Sequence, residues 1–168
     1  MLTHLLIISI FPMAMAFAAA YDLFSMTLPN WISLVLVAGF AVLAPLVGIG
    51  WSAAGLHVAL AFAALVVTFG MFSMGWIGGG DAKLFAATCL WLGPDQMLIY
   101  AIYAALLGGL LTFMLLVVRQ MPLPASFYSQ QWIARLHDSN EGVPYGIALA
   151  AAGLLVYPET AFMNALGG

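Results

Sequence analysis

The chain has 168 residues, of which 65% are apolar and only 5% are charged. Because soluble domains carry about 25% charged residues, this composition and a mean hydropathy of +1.13 exclude an ordinary soluble protein. Cys89 has no second cysteine with which to form a disulfide or a zinc site. His57 has no second ligand at metal-binding spacing. We therefore expect Cys89 to be a buried apolar side chain and His57 to be a core or interfacial one.

Stretches of about 20 apolar residues span a bilayer. We therefore expect an all-α polytopic membrane protein with about six transmembrane helices, in a single membrane-embedded domain over residues 1–168. The first stretch ends in three alanines, like a signal-peptide cleavage site, but no basic residue precedes it and we expect it to be retained. The predicted spans lie near residues 2–21, 31–48, 53–76, 82–93, 97–118 and 143–163.

The charged residues predict an orientation. All three basic residues follow odd-numbered spans and so share one side of the membrane: Lys83, Arg119 and Arg135. The positive-inside rule makes that side cytoplasmic and places the N-terminus outside. Asp22 and Asp81 border the same side, whereas Asp95 and Glu159 fall near the other.

Asp22 follows the first span, and Asp81 ends the sequence Gly78-Gly79-Gly80-Asp81. Carboxylates at or inside a bilayer are costly and often mark function. The alternatives are a solvated loop charge for Asp22 and a helix N-cap for Asp81. The segment Asp81 to Gly93 is roughly 20 Å long at the helical rise, against a hydrocarbon core of about 30 Å. Either the bilayer thins there or Asp81 lies below the surface.

The three glycines predict a loop before the fourth helix, because glycine permits unusual backbone angles and close approach of another segment. We expect Gly80 to set the direction of Asp81, with a positive φ as one way of doing so. Gly108 lies within a helix and is expected to act mainly in helix packing. Lys83 is either a topology anchor that reaches the head groups or a group that binds substrate or tunes Asp81.

The stretch 119–142 is the only long polar loop. Tyr128, Trp132 and Leu136 recur every four residues, which favours a short amphipathic helix on the membrane within residues 125–137. The alternative is a linker that carries aromatic belt residues. Pro144 then suits the first turn of the last span, and Gly146 would allow close helix packing.

Two carboxyls within hydrogen-bonding reach share one proton. The ionised member can deprotonate water while the protonated member donates to a carbonyl oxygen, which is aspartic-protease chemistry. This hypothesis needs Asp22 and Asp81 at the same depth on neighbouring helices. A small transporter or assembly subunit, with aspartates that bind protons or cations, is the non-enzymatic alternative.

Three motifs resemble the type IV prepilin peptidase family, over residues from about 15 to 155. They are Gly78-Gly79-Gly80-Asp81 with its extension Ala82-Lys83-Leu84, Asp22 followed by Leu28-Pro29-Asn30, and Val143-Pro144-Tyr145-Gly146-Ile147-Ala148. The resemblance implies that Asp22 and Asp81 are catalytic. It implies that the site is shaped by Gly78, Gly79, Gly80, Lys83, Pro29, Asn30, Pro144, Tyr145 and Gly146.

The family resemblance also implies the biology. The chain is similar to the short peptidases of tight-adherence (Flp) pilus systems, without the N-terminal methyl-transferring, cysteine-rich domain of longer members. We expect a bacterial inner-membrane enzyme that cleaves prepilins and pseudopilins after a glycine at the cytoplasmic face. Membrane lipid is the other expected partner. No cofactor, metal or nucleic-acid partner is expected. A protease that cuts inside transmembrane helices, like presenilin, also pairs Gly-x-Gly-Asp with Tyr-Asp, as in Tyr21-Asp22, but lacks the other two motifs.

Overall fold

In a computed structural model of the chain, residues 1–122, 124 and 129–166 are described. These residues form helices, turns and connections without any strand, which confirms the predicted all-α fold. The helices in these ranges are α1 (Leu2–Ser25), α2 (Asn30–Val47), α3 (Trp51–Ser73), α4 (Gly79–Arg119), α5 (Gln131–His137), α6 (Tyr145–Val156) and α7 (Ala161–Asn164), with a 3-10 turn at Tyr157–Glu159.

Among the described helices, α1 to α4 are long and apolar enough to cross a bilayer. Helix α4 has 41 residues and is divided at Gly93, whose φ of 71° and ψ of −172° are not helical. Its two halves correspond to the fourth and fifth predicted spans. A shorter apolar segment, Tyr145–Glu159, occupies the place of the sixth predicted span.

The break in α4 depends on α3. Pro94 has no backbone N–H, so the Leu90 carbonyl loses the donor that a continuous helix would supply. His57 replaces that donor, because its Nδ1 donates to the Leu90 carbonyl at 2.8 Å. The His57 ring lies where a side chain on residue 93 would sit, which requires Gly93. His57 is buried, in agreement with the predicted core role.

The first helix is longer than the sequence predicts. Helix α1 ends at Ser25, so Asp22 lies inside its last turn and the prediction of a loop position was wrong. The backbone turns only at Met26, which has a φ of 51° and donates its N–H to the Asp22 carbonyl at 2.8 Å. Hydropathy falls at Tyr21-Asp22, but the helical backbone continues for another turn.

The glycine run is also different from the prediction. The left-handed residue between α3 and α4 is Gly75, with a φ of 74°. Gly78 is the N-cap of α4, and Gly79 and Gly80 already belong to its first turn. The positive φ considered for Gly80 is therefore excluded, and the loop prediction is right only for Gly78.

Helix α6 lies against both α1 and α4. Small residues on its surface allow this close approach: Gly146, Ala148, Ala150, Ala152 and Gly153 are all buried. An aromatic contact joins α1 to the 3-10 turn that follows α6, where Phe11 stacks on Tyr157 with ring centroids 4.3 Å apart. Helix α3 packs mainly on α4 and exposes most of its apolar side chains, as a lipid-facing helix does.

The bundle has two ends. We call the end that carries Asp22 and Asp81 the aspartate end. At the opposite end, Asp95 and Glu159 line one cavity of about 540 Å³, as the sequence predicts. The basic residues lie at the aspartate end, where Arg119 donates to the Gly142 carbonyl at 2.8 Å and Arg135 to the Ser25 carbonyl at 3.4 Å. The compartment that each end faces stays a prediction.

Helix α5 covers part of the aspartate end. Trp132 meets Phe24 of α1 edge-on, with ring centroids 5.5 Å apart. Arg119 Nε donates to the Leu136 carbonyl at 2.8 Å, which ties the end of α4 to α5. Tyr128 of the predicted 125–137 helix lies outside the described residues, and the position of α5 relative to the membrane stays a prediction.

Candidate active site

Asp22 is held by the start of α6. Its side chain is 5% exposed, and its Oδ2 accepts the Gly146 backbone N–H at 2.6 Å. The Ile147 N–H is directed at the same carboxyl. The first N–H groups of a helix lack the carbonyl partner of a full helical turn, so the start of α6 directs N–H donors at a carboxylate. Asp22 on α1 is thus oriented by backbone far along the chain.

Asp81 is the third helical residue of α4, after Gly79 and Gly80. The Gly78 N–H at the N-cap is directed back at its carboxyl, an arrangement like that of the acidic residue in a capping box. Asp81 Oδ1 is buried and has no hydrogen-bond partner in the described part of the chain. One oxygen is therefore available to a group that enters the site.

The two carboxyls meet at one cavity of about 640 Å³, which we call the aspartate cavity. They are close enough to interact electrostatically. The wall is completed by the turn from Gly75 to Gly78, by Thr112 of α4 and by the segment from Glu141 to Val143. A cavity that reaches the connecting segments and holds two carboxyls can admit water and an extended peptide.

Two glycines leave room for the carboxyls. A Cβ on Gly146 would lie 2.8 Å from Asp22 Oδ2, and a Cβ on Gly78 would lie 2.7 Å from Asp81 Oδ2. Both distances are below ordinary van der Waals contact. The sequence indicated that Gly146 serves close packing, and the structure identifies its neighbour as the side chain of Asp22.

Gly80 serves the approach of α1–α2 to α4. A Cβ there would lie 2.7 Å from the Leu28 Cβ and 3.2 Å from the Leu28 carbonyl oxygen. Pro29 follows as the N-cap of α2. The motif Leu28-Pro29-Asn30 therefore packs against the first turn of α4, which is the turn that contains Asp81.

Lys83 points away from the aspartate cavity. Its exposed ammonium donates to Asn30 Oδ1 at 2.7 Å, which joins the first turns of α2 and α4. Neither of the two roles predicted for Lys83 from the sequence included this contact. Because Lys83 does not line the cavity that holds the carboxyls, the structure does not support a direct role at Asp81.

Tyr145, preceded by the N-cap Pro144, begins α6 and lines the aspartate cavity. Its ring fills the space above Gly108, where a side chain would overlap it. Gly108 is therefore a point of contact between α4 and α6, in agreement with the predicted role in helix packing. Thr112, one turn further along α4, lines the same cavity and was missed. Its spacing of four from Gly108 is the signal that places it on the same face.

A second cavity touches Asp81 from the apolar side. It has a volume of about 270 Å³ and lies between α3, both halves of α4 and α6. Its walls include Thr68, Phe85 and Leu149, and three residues line this cavity and the aspartate cavity alike: Ile77, Asp81 and Tyr145. Asp81 thus lies between a polar and an apolar compartment.

The described residues contain no group of three His, Cys, Asp or Glu side chains that could hold a metal ion. The sequence profile of the type IV leader peptidase family matches residues 9–113 of the chain. The chain belongs to that family. This type IV leader peptidase homologue has both aspartates inside the matched region, whereas its Val143–Ala148 motif lies beyond it. No curated protein and no solved structure matches the chain significantly.

Proposed function

We propose that this family member is an aspartic endopeptidase that removes the leader peptides of Flp-type prepilins, with Asp22 and Asp81 as the catalytic pair. The observation that carries the proposal is the convergence of two carboxyls, from α1 and α4, on one cavity at the end of an apolar bundle. The family membership supports peptidase activity. The pair supplies an acid and a base without a metal or a nucleophilic side chain.

In the proposed reaction, one carboxylate takes a proton from water as its oxygen attacks the scissile carbonyl carbon. The other, protonated carboxyl donates to the carbonyl oxygen, and the tetrahedral intermediate forms without a covalent enzyme adduct. The peptide C–N bond then breaks as the nitrogen takes the proton that the first carboxylate received from water, and the second carboxylate recovers its proton from a hydroxyl of the intermediate. Asp22 accepts the Gly146 N–H, a contact that favours its ionised form, so we assign Asp22 as the initial base and Asp81 as the acid.

The two compartments beside Asp81 suit such a substrate. A prepilin has a short basic leader and then an apolar helix. The leader would occupy the aspartate cavity, where Glu141 adds a third carboxylate. The apolar part would begin beside the 270 Å³ cavity between α3, α4 and α6. We place the site at the cytoplasmic face of the bacterial inner membrane, with the N-terminus outside, because the basic residues lie at this end.

The test is cleavage of a purified Flp-type prepilin by the purified protein in detergent, read by mass spectrometry of the products. Asp22→Asn and Asp81→Asn should each abolish cleavage and leave a folded protein. Asp95→Asn is the matched control, because it removes a carboxylate at the opposite end and should retain wild-type turnover. Turnover by either cavity variant would remove that residue from the pair, and absence of cleavage by wild type would favour a transporter or assembly subunit.

A further inference from the structure

An open groove lies between α2 and α3. Both helices pack on α4 and scarcely touch each other, so the space between them has α4 as its floor. Its volume is about 590 Å³. The deeper walls are apolar, with Val37, Val58, Phe62, Leu65, Ala87 and Leu90 among the lining residues. We call this feature the α2–α3 groove.

Polar groups lie only at its aspartate end. Lys83, Asn30 and Ser33 line the groove there. Asn30 Oδ1 accepts from Lys83, and the amide nitrogen of Asn30, which has no hydrogen-bond partner among the described residues, can donate to a ligand. An ammonium, an amide and a hydroxyl thus stand together where the groove leaves the apolar layer. Three such donors suit an anion with several oxygens.

Lys83 has a neutral hydrogen-bond partner. Its ammonium bonds a neutral amide, and within the described ranges no carboxylate lies at ion-pair distance from it. The two arginines bond backbone carbonyls at the aspartate end, Arg119 those of Leu136 and Gly142 and Arg135 that of Ser25, and neither lines the groove. Lys83 is the basic residue that lines the groove, and its ammonium has three N–H donors, of which one bonds Asn30.

The size of the groove suits an acyl chain. From Lys83 to Leu90 along α4 it extends for roughly 10 Å at the helical rise, and its volume is about 590 Å³. Because the groove has a polar end and apolar walls, it matches a ligand with a charged head and an apolar chain.

We propose that the α2–α3 groove binds one anionic phospholipid, with its phosphate on Lys83, Asn30 and Ser33 and an acyl chain along α4 toward Leu90. The charge of Lys83 selects the head group, and the apolar walls hold the chain. The bound lipid would fill the space between α2 and α3 and support the start of α2 beside Asp81. This proposal is independent of the peptidase function.

The experiment measures lipid binding to the purified full-length chain by native mass spectrometry, with phosphatidylglycerol and phosphatidylcholine of identical acyl chains. Wild type should prefer phosphatidylglycerol by roughly fivefold, the effect expected of one basic residue near an anionic head group. Lys83→Gln should remove the preference, and Lys83→Arg should keep it. Arg135→Gln, the matched control for loss of one charge, should keep the preference as well.

A second variant tests the groove itself. Ala61 lines the groove, so Ala61→Leu should fill it and weaken both lipids several-fold, whereas Gly109→Leu, at a position with open space around it, should not. An unchanged lipid preference in Lys83→Gln, or unchanged binding in Ala61→Leu, would overturn the proposal. Displacement of the lipid by a prepilin transmembrane peptide would also overturn it and assign the groove to substrate. Thermal melts confirm that each variant is folded.

Discussion

The contact between Gly146 and Asp22 gives the sharpest test of the proposed site. In Gly146→Ala, the new Cβ would lie 2.8 Å from Asp22 Oδ2 and 3.1 Å from Asp22 Cβ. The carboxylate must retreat by about 0.6 Å to reach ordinary contact. That shift stretches the charge-assisted hydrogen bond between the Gly146 N–H and Asp22, which is 2.6 Å long. It also moves Asp22, the proposed base, away from the water that it would deprotonate.

We expect kcat to fall by about 10- to 100-fold, since a misplacement of about 1 Å costs up to 10²-fold. The KM should change little, because Gly146 acts on Asp22 and does not line the cavity. The assay is prepilin cleavage per folded enzyme, with the folded fraction taken from a thermal melt. Alanine favours a helix over glycine, so a loss of helical stability would not explain the result.

Gly109→Ala is the matched control, because it makes the same change within a helix at a site with nothing within 4 Å. It should keep wild-type turnover and gain up to about 1 kcal/mol in the free energy of unfolding. If Gly146→Ala had a kcat within twofold of Gly109→Ala, the backbone of α6 would not be positioning Asp22.

Three further predictions address other parts of the fold. Gly80→Val should cut turnover more than Gly109→Val does, because it drives the starts of α2 and α4 apart at a cost of about 1–3 kcal/mol; equal activity in the cleavage assay would contradict this. The predicted topology places Gly50 outside and Asn140 in the cytoplasm, so a cysteine at position 50 should react with an impermeant reagent added outside, and one at position 140 only after permeabilisation. The native Cys89 is buried and should not react; the reverse labelling pattern would invert the topology. His57→Phe should lower the free energy of unfolding by about 1–3 kcal/mol, because a buried carbonyl of α4 loses its donor; an unchanged denaturant midpoint would refute that role.

The convergence of Asp22 and Asp81 on one cavity could be anticipated from the sequence, because the predicted spans place both carboxylates at the same end of the bundle. The end of α1 could not, because the hydrophobic run stops at Asp22 while the helix continues to Ser25. A buried aspartate in a helix is tolerated when a donor reaches it, and that donor is the Gly146 N–H, far away along the chain. Hydropathy carries no information about such a partner.

The glycines were the least predictable residues. A glycine in a sequence signals an unusual φ or a close neighbour, and it does not say which. Gly75 has the positive φ, whereas Gly80 and Gly108 have close neighbours on other helices. These neighbours, Leu28 and Tyr145, become visible only when the helices are packed. The same holds for Lys83, whose contact with Asn30 depends on the juxtaposition of two helix starts.

The contact between α3 and the break in α4 implies a dependence among three positions. Pro94 removes one backbone donor, Gly93 provides the space, and His57 supplies the replacement proton to Leu90. If position 94 changed to a residue with a backbone N–H, that N–H could bond the Leu90 carbonyl within α4. The hydrogen bond from His57 would then no longer be needed. During divergence, positions 57, 93 and 94 should therefore substitute together, so that aligned relatives would show them as a covarying set even though none of the three is near the carboxyl pair.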